Sequence, residues 1–195
     1  MNILGIGGML NDAACAILCD GELVAAVEQK KVARRTHAGQ APGDAIASCL
    51  RIAGLAPGDI HCVAIVRPFT HGPEAMVQLQ LRDLFPSSEV VLVEHHAAHA
   101  ASACFAAPFA ESTVLTLDRH GDFRCGARWR ASGHRLTLDR ELYHPDSIAD
   151  LYGRVTALVG FERNADEHKV QWLSTLGDSR FDGLFGEILS TRGDG

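Results

Sequence analysis

The chain has 195 residues, 47% of them hydrophobic and 22% charged, a composition that suits one folded domain or two small lobes and excludes disorder. Its 24 acidic residues outnumber 18 basic ones, and a net charge of −6 leaves no basic footprint for nucleic acid. Met1-Asn2-Ile3-Leu4-Gly5-Ile6 lacks the basic start and long apolar core of a signal peptide, no apolar run reaches membrane-spanning length, and six cysteines without a CxxC pair read as free thiols of a cytoplasmic protein.

In chain order, Asn2 to Ile6 reads as a short strand, followed by a tight turn, Gly7-Gly8-Met9-Leu10-Asn11-Asp12. Ala13 to Cys19 and Glu22 to Glu28 are two further strands, joined by Asp20-Gly21, a strong hairpin signal. In the first turn, backbone NH groups can approach a phosphate and Asp12 can orient metal-bound water. Taken alone, the turn favours the simpler reading, in which the glycines permit the bend and Asp12 caps it. Gln29 to His37 (QKKVARRTH) is a basic stretch, either a solvated loop or an anion contact through Arg34 and Arg35. Pro42 to Ala53 reads as an amphipathic helix stopped by Gly54, Ile60 to Val66 as a buried strand, Glu74 to Leu84 as a helix, and Val90 to Val93 as a strand.

Glu94-His95-His96-Ala97-Ala98-His99 opens the next helix, which runs to about Phe105. His95 and His99 are four apart and share a face, a spacing that can hold one metal ion, whereas His96 points elsewhere. A bare pair of this kind serves structure more often than metal.

The order β-β-β-α-β-α-β-α matches a ribonuclease-H-like lobe, the building block of the actin-like ATPase fold, and places the chain in the mixed α/β class. The pattern then restarts. Ser112 to Leu117 is a strand, Asp118-Arg119-His120-Gly121-Asp122 a polar turn, and Phe123 to Arg130 and Arg135 to Leu142 are strands. Ser147 caps a helix to about Val159, with Gly160 as its stop, and Phe181 to Leu189 reads as a last helix. Asp12 and Asp118 fall at equivalent places in this weak repeat. The expectation is a first lobe over 1–110 and the start of a second over 111–195, either part of a longer enzyme or a shortened relative.

Several segments together resemble the NodU/CmcH-type O-carbamoyltransferases. They are Leu4-Gly5-Ile6 with Asn11-Asp12-Ala13-Ala14, the Asp20 to Glu28 hairpin, Arg34-Arg35-Thr36-His37, His95-His96-x-x-His99-Ala100-Ala101-Ser102, and Pro108-Phe109. Leu115-Thr116-Leu117-Asp118-x-x-Gly121-Asp122, Leu151-Tyr152-Gly153, and Lys169-Val170 with Leu176-Gly177-Asp178 complete the resemblance. Their catalytic domain is similar to that of TsaD-type threonylcarbamoyl transferases. The resemblance implies transfer of a carbamoyl group from carbamoyl phosphate and ATP, through a carbamoyl-adenylate, to a hydroxyl of a small molecule in secondary-metabolite or glycan modification. It implies a divalent metal, Fe2+ with Zn2+ or Mn2+ as alternatives, on His95 and His99, with a third ligand, an aspartate, in a later part of the second lobe. It further implies ATP with Mg2+, catalytic roles for Asp12 and Lys169, and phosphate or nucleotide contacts from Asp12, Asp118, Gly121, Lys169, Arg34 and Arg35. The remaining second lobe and a YrdC-like adenylate-forming domain would come from the same or another chain, and this chain alone is expected to transfer nothing. No nucleic-acid or membrane partner is expected.

Three loops depart from the pattern. Asn11 replaces a histidine, Arg119 replaces a glycine, and His168-Lys169-Val170-Gln171-Trp172 keeps the lysine but loses both glycines of the matching segment. These changes support a second reading, a non-catalytic binding or partner subunit. A sugar-kinase-like phosphotransferase is a weaker third, since it does not need the histidine helix.

Overall fold

A computed structural model describes residues 1–33, 39–72 and 74–189. Arg34 and Arg35, proposed above as anion contacts, lie outside the described residues. The chain divides into two compact units, Met1–Ser147 and Ile148–Gly195. The two-lobe division at residue 110 stays a proposal.

The first unit contains two sheets. Strands β1 (Asn2–Gly7), β2 (Ala14–Cys19) and β3 (Glu22–Glu28) form an antiparallel meander. Strands β4 (Cys62–Val66) and β5 (Glu89–Val93) add in parallel on the other side of β1, giving the order β3-β2-β1-β4-β5. The β2–β3 turn is made by Asp20 and Gly21 at φ 50° and 91°, the two positive values that a two-residue hairpin turn needs. Alternation along β1 and β4 points Leu4, Ile6, Val63 and Ile65 into one core, where they meet Ile46 and Leu50 of helix α2 (Gly43–Ala53) and Val77 and Leu81 of helix α3 (Glu74–Leu84). Helix α2 ends at Gly54 (φ 67°), with Leu55 N donating to Leu50 O at 3.0 Å, a glycine stop of the kind read from the sequence.

Part of the basic stretch read as a loop is ordered differently. Gln29–Val32 forms a single turn, helix α1, and Gln29 is buried. Its amide donates to Asp44 Oδ2 at 2.8 Å and accepts from Ala45 N at 2.9 Å, filling the open N-terminus of α2. A neutral residue thus completes a helix start that composition alone had grouped with the lysines.

The second sheet is antiparallel, with order β6-β7-β8, built from β6 (Glu111–Gly121), β7 (Arg124–Ser132) and β8 (Arg135–Tyr143). The polar turn expected at Asp118 to Asp122 is shorter than that. After a register shift beyond Leu117, Gly121 pairs with Arg124, so β6 continues through Asp118. The turn is Asp122-Phe123, both at positive φ (56° and 70°). A phenylalanine is an unusual occupant of that conformation, which explains why the sequence did not mark the turn there.

Helix α4 (His95–Ala106) packs on this second sheet. Ala97, Ala100 and Cys104 lie on one face and meet Val114, Ala127, Trp129 and Ala131. Small side chains on the helix let its backbone approach the strands closely.

The second unit holds helices α5 (Ile148–Leu158), α6 (Glu167–Leu173) and α7 (Asp182–Ile188). Asp150 is buried and ion-paired with Arg154 at 2.8 Å and with Arg163. Helix α6 spans the segment that the sequence left without structure, since seven residues are too few to show a helical period. Leu158, Trp172, Leu176 and Phe181 of this unit are all exposed.

Candidate metal centre

The site begins with the start of α4. Glu94 sits in extended conformation (ψ 143°) and turns both carboxylate oxygens on the helix's free NH groups, accepting from His96 N at 3.0 Å and Ala97 N at 2.8 Å. Arg124 on β7 holds the same carboxylate at 2.8 Å and also pairs with Glu141 on β8. The first turn of α4 is therefore anchored to the second sheet by charge as well as by packing.

His96 has no exposed surface. Its Nε2 lies 3.0 Å from the Arg124 carbonyl, to which it donates, and its Nδ1 lies 2.9 Å from the Thr116 hydroxyl. Both ring nitrogens are satisfied inside the core, so the structural role weighed for the histidine cluster belongs to this residue.

His95 and His99 project from the other face. Their Nε2 atoms are 3.1 Å apart, and His95 Nε2 is 2.6 Å from Asp118 Oδ2. Asp118 Oδ1 accepts from Arg119 N at 2.6 Å, and its carbonyl accepts from the Ser147 hydroxyl at 3.1 Å, which fixes the end of β6. Among the described residues, His95, His99 and Asp118 are the one group whose ligand atoms converge in a metal-binding arrangement, all within 4.8 Å of one another.

The charges of this group follow from the contacts. The hydrogen bond from His95 holds the Asp118 carboxyl down at about 2 against the opposing effect of burial. The same bond raises His95 above the ordinary imidazole value. Burial, and then the neighbouring charge of His95, lowers His99.

This donor set fits a divalent cation. His95 Nε2 can give its one proton to a single acceptor, and Asp118 at 2.6 Å takes it. The 3.1 Å approach of His99 Nε2 to the same atom is left without a second proton to share. One cation would satisfy two imidazole nitrogens and an anionic oxygen together, and ligands about 2.1 Å from an ion stand a little over 3 Å apart.

The other sequence-derived candidates lie elsewhere. Asp12 is at the β1–β2 turn, exposed, and ion-paired with Lys30 at 2.8 Å. Lys169 is on α6 in the second unit, 2.7 Å from Asp166 and over the Phe161 ring at 5.9 Å. Gly121 lies against His95. Asp118, assigned to phosphate from the sequence, had not been recognised as a partner of the histidine pair. The one sequence signal is its place directly after the strand read over Ser112 to Leu117. That the histidine helix lies on this strand is a tertiary fact no local pattern carries.

Comparison with known proteins adds to this geometry. The family model for the carbamoyltransferase N-terminus matches residues 2–67 and 69–194. An uncharacterised protein of Synechocystis sp. is 28% identical over 235 residues, covering 100% of this chain and 38% of its own length. The nodulation protein NolNO of Sinorhizobium fredii is 28% identical over 197 residues, covering 87% of this chain and 28% of its own. The chain therefore spans less than two-fifths of the curated relatives it matches. Among solved structures, the ROK hexokinase of Thermus thermophilus superposes with a TM-score of 0.58 at 16% identity, over 94% of this chain and 72% of that one. At that identity the likeness speaks for the fold alone, an α/β fold of the actin-like ATPase type.

Proposed function

The chain belongs to the carbamoyltransferase N-terminal family, and from that premise we propose that it forms part of the catalytic domain of an O-carbamoyltransferase with a divalent metal on His95, His99 and Asp118. The protein as a whole would move a carbamoyl group from carbamoyl phosphate and ATP, through a carbamoyl-adenylate, to a hydroxyl of a small molecule. The convergence of two imidazoles and one carboxylate within 4.8 Å is the observation that carries this reading.

A bound metal, Fe2+ being the leading choice, supplies an electrophile that polarises a phosphate or carbamoyl oxygen. The side chains do the rest. Asp118 stays ionised through the whole physiological range, because its carboxyl is held at about 2. His95 would have to release the Nε2 proton it shares with Asp118 for a cation to bind, which would tie affinity to pH. His99, lowered by burial, would offer its lone pair with less competition from protons. Three protein ligands leave open positions for substrate oxygens.

Asp12 and Lys169 keep their assignment as contacts to phosphate or carbamoyl on the family resemblance. Asp12 is paired with exposed Lys30, a surface pair weak enough for Mg2+ to compete, and Lys169 is itself exposed although its partner Asp166 is half-buried. Arg34, Arg35 and Gly121 complete the proposed phosphate set, and Asp118, expected there from the sequence, is assigned to the metal instead. The rest of the second lobe and a YrdC-like domain, in the same or another chain, would supply adenylate formation.

The test is carbamoyl transfer from carbamoyl phosphate and ATP to hydroxylated acceptors by the full-length gene product, beside its His95→Ala and Asp118→Ala variants. Turnover lost in both variants is expected. Equal turnover in wild type and variants would remove the metal from the chemistry. A second reading, a non-catalytic partner subunit, draws on Asn11, Arg119 and His168. It predicts metal binding with no transfer in the full-length protein under any condition.

A further inference from the structure

The geometry points to Gly121 as the seat of the His95 ring, a positioning residue for the proposed metal ligand. Its backbone does not demand glycine. It is absent from the positive-φ positions, which include Gly8, Gly21, Gly39, Gly54, Gly133 and Gly160. It pairs in register with Arg124 at the end of β6, a place where any L residue is allowed. What it supplies is space. A Cβ built on Gly121 would stand 2.2 Å from His95 Cδ2, 2.7 Å from Nε2 and 2.8 Å from Cγ. No carbon tolerates those distances, so the ring would have to move.

The ring has little freedom to do so. Its Nε2 is bonded to Asp118 at 2.6 Å and stands 3.1 Å from His99. Its backbone belongs to a helix start anchored by Glu94 and Arg124. The register shift between Leu117 and Gly121 brings both residues that meet the ring, Asp118 and Gly121, to the same side of one bulged strand end. Asp118 bonds the edge of the imidazole and Gly121 lets it lie close to the backbone. The strand thus holds the ring at the angle at which its nitrogen meets the other two donors. Gly126 offers the contrast within the same sheet. A Cβ there stands 3.1 and 3.3 Å from the methyl ends of Leu117 and Leu142, which can yield, and at ordinary contact distance, 3.5 Å, from Leu142 Cβ.

This inference rests on the reading of His95 as a metal ligand, and the test separates the two. Mn2+ and Co2+ affinities are measured by calorimetry, and the visible spectrum of bound Co2+ is recorded, for the full chain and its Gly121→Ala, His95→Ala, Gly121→Ala/His95→Ala and Gly126→Ala variants. The His95 Cδ2–Hδ2 resonance of the metal-free wild type, Gly121→Ala and Gly126→Ala proteins is followed by NMR. Gly121→Ala is expected to weaken Co2+ binding about 10- to 100-fold, as changes in the groups that orient a metal ligand do. It should also change the Co2+ spectrum and shift the His95 resonance. Gly126→Ala should do none of these, and Gly121→Ala should cost nothing further once His95 is alanine. If wild type binds no better than His95→Ala, the metal reading fails, while a shifted ring resonance still supports the seat. An unmoved resonance in Gly121→Ala, or wild-type affinity in that variant when His95→Ala has lost binding, overturns the inference.

Discussion

Asp12 and Asp118 fall at corresponding places of the weak repeat read from the sequence, yet Asp12 lies in the turn between β1 and β2, Asp118 lies within β6, and their surroundings differ. Asp12 is exposed at the β1–β2 turn and meets Lys30, an exposed partner. Asp118 is bonded by an imidazole at one oxygen and a backbone NH at the other. The difference comes from what lies on each sheet. The first sheet packs α2 and α3 through aliphatic side chains, whereas the second packs α4, whose first five residues carry three histidines. A repeated motif becomes a site only where packing delivers donors to it.

The largest effect should come from exchanging these two carboxylates for alanine. Asp118→Ala is expected to weaken Co2+ or Mn2+ binding by about 100-fold or more, since removing a ligand exceeds the loss from disturbing its supports. Asp12→Ala should leave that affinity within about twofold on the same reasoning. Calorimetry on both variants reads the contrast, and comparable losses would erase it.

The next effect concerns the anchor of α4. Replacing Glu94 by alanine removes acceptors from two helix NH groups and a partner from Arg124. The expected cost is about 1–2 kcal/mol by denaturant unfolding. A change within error would mean that apolar packing alone holds the helix.

A smaller effect is set by pH. His95 is raised, so its share of metal-free stability is present below the ordinary 6.5 and fades as pH climbs through the raised value. Asp118 is lowered to about 2, so its share is present above 3.8 and is lost as pH falls toward 2. Wild type should therefore exceed Asp118→Asn most near pH 5, by about 1 kcal/mol once solvent screening of these part-exposed groups is allowed for. Metal affinity should run the opposite way, rising from about pH 5 to 8 as His95 releases its proton. A stability difference independent of pH would deny the His95–Asp118 pair.

Much of this was legible in the sequence because the signals were local. Asp20-Gly21, Gly54, the short apolar runs of β1 and β4, and the four-residue spacing of His95 and His99 each state their own geometry. The rest depends on residues far apart in the chain. Gln29 caps α2 from 15 residues away, and nothing near it says so. Asp122-Phe123 turns the chain because β6 and β7 stay paired, and Phe123 carries no turn signature. The approach of Asp118 to His95, and the need for glycine at 121, follow from α4 choosing the second sheet. That choice is made by Ala100, Cys104 and Trp129 acting together.

The central claim is that His95, His99 and Asp118 hold one metal ion. Elemental analysis of the purified protein, beside its His95→Ala/His99→Ala variant prepared in the same way, addresses it most directly. Close to one divalent metal per chain in the wild type, and almost none in the variant, is the predicted result. Equal metal in the two proteins would contradict it.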